Sequence, residues 1–123
     1  MSTTKMVQEH ILKLIELKPN IGYFTLCKIF GLSIEELLKL LDITNYKIEI
    51  FDIFKTKNII IYDDKNNKIY VEDSNGEWEK FEYDENNNMI KVKYFDGYLE
   101  KWEYDDNGNK IYYRDSDGYK YNY

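Results

Sequence analysis

One sentence of about twenty-one residues is written three times in succession. It reads YDDKNNKIYVEDSNGEWEKFE over residues 62–82, YDENNNMIKVKYFDGYLEKWE over 83–103 and YDDNGNKIYYRDSDGYKYNY over 104–123. Every copy holds two clusters rich in Asp, Asn and Gly: a first at 63–67, 84–88 and 105–109, a second at 73–76, 95–97 and 115–118. These residue types tolerate the positive φ of tight hairpin turns. Segments of strand length lie between them. Each copy therefore reads as one hairpin, and the hairpins chain into an antiparallel meander.

Alternation along the strands predicts the faces. One face collects Ile69, Val71, Phe81, Tyr83, Ile90, Val92, Trp102, Tyr104, Ile111, Tyr113, Tyr121 and Tyr123. The other collects Lys68, Glu72, Lys80, Glu82, Lys91, Lys93, Lys101, Glu103, Lys110 and Arg114. Lys and Glu on this second face are expected to pair across strands, leaving it wet. The first face needs a covering layer, and the leucine-rich N-terminal third is the only one this sequence supplies.

That N-terminal third reads as three helices. Residues 5–18 place Met6, Ile11, Leu14, Ile15 and Leu17 along one stripe, and Pro19 closes the segment. The next helix has Thr25 as its expected N-cap and Gly31 as its stop. Ser33 and Glu36 form the capping box of the third, which buries Leu37, Leu38, Leu40 and Leu41. Residues 46–62 read as a hairpin turning at 55–58. The fold class is α+β. A helical module spans 1–45; a meander spans 46–123, made of the hairpin 46–62 and the repeats 62–82, 83–103 and 104–123.

Two resemblances follow from these residues. The repeat resembles the YD repeats of the RHS family, YDxxGNxI…DxDG, with residues 104–119 the nearest copy. In large members many such repeats roll into a shell; three cannot, so the resemblance implies the strand–turn–strand unit alone. Residues 24–41, with the small Cys27, the turn residue Gly31 and buried Leu37 and Leu40, resemble a helix-turn-helix. With the hairpin as a wing, that resemblance implies DNA contact through Lys28, Lys39, Lys55 and Lys57. Its recognition helix, however, begins with Glu35 and Glu36, which repel phosphate.

Charge is divided unevenly. Residues 1–61 carry a net of +1 and residues 62–123 a net of −7. An acidic meander does not read nucleic acid by itself and suits a basic protein surface. Catalytic signals are absent: the lone His10 has no assignable partner, Cys27 reads as a small buried hydrophobe, and no nucleotide-binding loop appears. Residues 105–109 begin like a calcium loop, but the twelfth position is Ser116 rather than an acid, so no metal or other cofactor is expected. A single cysteine and the absence of a secretory leader pattern suggest the cytoplasm, and no segment suits a membrane span.

The predicted contact residues fall into two groups. Trp78 and Leu99 occupy the same repeat position on the wet face, with Tyr70 and Tyr112 nearby. The acidic pairs Asp63-Asp64, Asp84-Glu85 and Asp105-Asp106 recur along one edge, about 10 Å apart at the usual strand spacing. The functional expectation is a non-enzymatic protein-binding module with a basic partner. Small acidic proteins of this build resemble phage and mobile-element inhibitors of the anti-CRISPR and anti-defence type, which would place the partner among nucleic-acid-handling host proteins. The alternative is a winged helix-turn-helix regulator that dimerises or senses through its sheet. A homodimer through the open last strand is a further expectation.

Overall fold

A computed structural model describes residues 3–43 and 46–123. The module boundary drawn at residue 45 therefore falls outside the described residues. Three helices, α1 (Thr3–Leu17), α2 (Tyr23–Phe30) and α3 (Ile34–Leu40), precede eight strands. The strands are β1 (Lys47–Ile53), β2 (Thr56–Tyr62), β3 (Lys68–Asp73), β4 (Trp78–Tyr83), β5 (Met89–Tyr94), β6 (Leu99–Tyr104), β7 (Lys110–Asp115) and β8 (Lys120–Asn122). They form one antiparallel sheet in sequence order, so the α+β meander expected from the repeats is the fold observed.

Local turn chemistry builds the repeat. At the first turn of each copy an aspartate, Asp63, Asp84 or Asp105, accepts two backbone N–H groups through Oδ1, from the residues two and four positions on. The residue three positions on, Asn66, Asn87 or Gly108, takes the left-handed conformation the turn requires. Ladder irregularities recur at Ile61/Tyr62, Glu82/Tyr83 and Glu103/Tyr104, one beside each of these turns. The second turns are tied to the preceding hairpin. Ser74 N donates to Lys57 O, Phe95 N to Trp78 O and Ser116 N to Leu99 O, at 2.8, 3.0 and 2.9 Å. Two tyrosine bonds obey the same period: Tyr83 Oη donates to Lys68 O and Tyr104 Oη to Met89 O.

The helices cover the face opposite to the one expected. The core joins Ile11, Phe24, Leu26, Cys27, Ile34, Leu37 and Leu38 to Ile59, Ile61, Tyr70 and Trp78. Register links Ile61 to Tyr70, Ile59 to Glu72 and Glu72 to Trp78, so these residues share a face. That is the face read as wet. Its first repeat carries Tyr70 and Trp78 where the second carries Lys91 and Leu99 and the third Tyr112 and Lys120, so the copies are not equivalent on this face. Among the described residues no helix packs on the face bearing Val71, Phe81, Val92, Trp102 and Tyr113. Val92 is nonetheless only 3% exposed there. Phe81 and Glu100 stand directly across from it on either side and shield it.

Three smaller expectations are also corrected. On α1, Met6 and Leu17 are exposed, and Val7 packs inward with Ile11, Leu14 and Ile15. The N-cap of α2 is Gly22, which supplies no side-chain bond, and Thr25 lies within the helix. The first hairpin turns at Phe54-Lys55, since Ile53 pairs with Thr56. The capping box of Ser33 and Glu36 and the left-handed Gly31 stand as read.

Candidate functional site

The uncapped start of α2 explains the one charged residue buried in the core among the described residues. Glu72 is 0% exposed. Its carboxylate accepts the backbone N–H groups of Tyr23 at 2.7 Å and Phe24 at 3.0 Å, and the Tyr70 hydroxyl as well. A sheet residue thus performs the capping that the helix sequence lacks. Burial pushes the carboxyl above its ordinary range, opposed by those three donors. All three donors come from residues packed in the core.

Trp78 and Tyr70 therefore do not form a surface contact site. They are 3% and 7% exposed, stack with ring centroids 6.2 Å apart, and lie under the helices. Leu99 and Tyr112, from later repeats, lie on the same sheet face where no helix reaches and are partly exposed. Lys80, carried over the Trp78 ring at 4.8 Å, and Lys93, bonded to Asn20 at 2.9 Å, mark where cover ends.

The acidic pairs divide by role. Asp63, Asp84 and Asp105 are held below the usual carboxylate range, chiefly by the backbone N–H groups of Asn67, Asn88 and Asn109. Their oxygens are committed to turns. Asp64, Glu85 and Asp106 are exposed, without a hydrogen bond or ion pair, and form the outward acidic row. An Asn67–Asn87 side-chain bond of 2.9 Å ties the first two turns together.

Beyond the helices the sheet has unlike faces. On the helix side Lys91 stands opposite Lys101, Lys101 opposite Arg114, and Arg114 opposite Lys120. Lysine and glutamate were expected to pair across strands; instead cations face cations, and one ion pair, Lys91–Glu82 at 3.2 Å, closes the row. On the other face Glu100 stands directly across from Asp115. Tyrosine hydroxyls hold the two acids. Tyr94 donates to Glu100 at 2.6 Å and Tyr98 to Asp115 at 3.0 Å, and the single Tyr113 proton is shared between Glu100 at 2.9 Å and Asp115 at 3.1 Å.

No protein-family model matches this chain, and no curated protein matches its sequence. The surface must accordingly be read on its own chemistry.

The lysines of the DNA reading come from three parts of the chain. Lys57 is ion-paired to Glu35 of α3 at 3.1 Å, Lys28 sits in the last turn of α2, Lys39 in the last turn of α3, and Lys55 in the first hairpin turn. Among the described residues no group of three or more His, Cys, Asp and Glu is placed to hold a metal ion. Cys27 is buried and its thiol is pushed up to about 11, first by burial and then by Glu72, so it is protonated and inert near neutral pH. No helix of the described residues is long and apolar enough to cross a membrane. Sequence reasoning missed Glu72 and the cationic row. The cationic row depends on cross-strand register, which the turn spacing sets, whereas the role of Glu72 depends on where α2 docks.

Proposed function

We propose that this protein is a non-enzymatic protein-binding module whose partner presents a basic surface. The observation that carries the reading is the division of labour in the acidic pairs: one acid of each pair builds the turn, leaving Asp64, Glu85 and Asp106 as a regular, unneutralised row on a rigid sheet edge. Acids held in register by a meander complement a basic groove of the kind that handles nucleic acid, which suits a blocker of such a protein. The DNA-binding alternative is weaker because Glu35 neutralises Lys57 and the exposed start of α3 is acidic.

The test is affinity capture from a cell lysate with the wild-type chain and D64N/E85Q/D106N side by side. The reading expects one protein retained by the wild type and released by salt, and lost from the variant. Equal retention by both chains would refute the acidic row as the contact.

A further inference from the structure

The cationic row has a geometry that selects a different ligand, independently of the acidic edge. On the helix-covered face, β5–β8 carry Lys91, Lys101, Arg114 and Lys120 directly opposite one another, lining a trough of about 860 Å³. Lys91 is satisfied by Glu82. The side chains of Lys101, Arg114 and Lys120 make no hydrogen bond or ion pair with the described residues. Like charges directly opposite destabilise a sheet. Three in succession are a standing cost that an anionic ligand would reverse. Leu99 lies beside the row along β6 and Tyr112 beside it along β7, single apolar side chains whose ladder partners are Lys93 for Leu99 and Glu103 and Asn122 for Tyr112.

We propose that this trough is the docking site for an acidic amphipathic helix of a partner protein. Three observations converge on it. The first is the layer itself: α1–α3 cover this same face over β2–β4 and stop at Lys80 and Lys93, so a helix lying over β5–β8 continues an existing layer. The second is spacing. Strands lie about 4.8 Å apart, and acids at i, i+4 and i+7 of a helix rise by about 6 and 10.5 Å. Acids on that stripe reach Lys101, Arg114 and Lys120 in turn, and the long cationic side chains absorb the difference. The third is the rim. Glu103 and Asp84 also line the trough. A helix can place uncharged residues against them, whereas a phosphodiester chain carries charge at every step and is repelled.

The probe is a fluorescein-labelled helical peptide of about five turns, with Glu at i, i+4 and i+7 flanked on both sides by Leu, titrated with the full-length chain by anisotropy. The expected result is saturable binding at about 0.05 M salt that weakens at about 0.5 M, and at least about tenfold weaker binding to K101E/R114E. The lysine version of the peptide should in turn prefer K101E/R114E over the wild type. Circular dichroism checks that the variant folds; should it not, K101Q/R114Q carries the same comparison. Absence of binding, equal affinity for an isomeric peptide with its acids scattered around the helix, or tighter binding of a single-stranded oligonucleotide of equal charge would each overturn the proposal. Loss of the acidic row in D64N/E85Q/D106N should leave peptide binding unchanged, which separates this site from the edge contact.

Discussion

Glu72 stands where a side chain at position 22 would go: a Cβ built on Gly22 would lie 2.5 Å from Glu72 Oε2, 3.0 Å from Cδ and 3.1 Å from Trp78 Cδ1. The glycine is required here by space alone, since its φ of −81° suits any residue. Gly22→Ala should cost about 1–3 kcal/mol through this overlap. Urea unfolding of the full chain measures it. In Gly22→Ala/Glu72→Ala the two costs should not add, because the added methyl then meets no carboxylate. Full additivity would mean the clash is not the cause.

Removing the cap alone is a second test. Glu72→Ala leaves the Tyr23 and Phe24 amides and the Tyr70 hydroxyl without their acceptor in the core. A loss of about 3 kcal/mol or more is expected. Tyr70→Phe removes one donor and should cost about 1 kcal/mol. Hydrogen exchange should show the first turn of α2 opening in Glu72→Ala before the turns of the last repeat.

The pH dependence has two limbs of opposite sign. Asp63, Asp84 and Asp105 have lowered values in the fold, so their stabilisation is present above the ordinary 3.8 and is lost as pH falls through the folded values. Glu72 is raised, so its contribution is full below the ordinary 4.5 and is lost as pH rises through its folded value. Urea midpoints should therefore decline both as pH falls below about 4 and as pH rises above 4.5. Glu72→Gln should flatten the neutral limb alone.

The acidic pairs predict a contrast between neighbours. Asp84→Ala removes the acceptor of the Asn86 and Asn88 amides and should lower the thermal midpoint. Glu85→Ala, one residue on, should leave it unchanged, because Glu85 makes no contact to lose. Differential scanning fluorimetry separates the two.

Phe54 is 100% exposed and holds φ at +56°. A bulky residue in the left-handed region costs about 1–2 kcal/mol. Phe54→Asn keeps a side chain at the turn and should raise stability by about 0.5–1 kcal/mol. A destabilised variant would show that the ring packs against something in solution.

Which parts of this were legible in the sequence follows from how far apart the interacting residues lie. The turns at 63–67, 84–88 and 105–109 close over five residues, and their Asp, Asn and Gly positions announce them. So do Ser33 and Glu36, three apart, and Gly31. Trp78 was misplaced because it was paired with Leu99, which holds the same repeat position without a helix above it. Treating the copies as equivalent made a buried tryptophan look like a surface one. The cationic row was misread for a related reason: composition shows lysine and glutamate on a face, but register alone shows that Lys101 meets Lys91 and Arg114 rather than glutamate.

The sequence alone determined the hairpins, their order and their period, because each hairpin closes on itself through turn chemistry a few residues long. Only the tertiary structure decided which side of the sheet became the core. That choice is made across 48 residues, where the Glu72 carboxylate meets the Phe24 amide. Both faces of the first repeat offer apolar surface, and the side taken is the one that also supplies an acceptor for the uncapped start of α2.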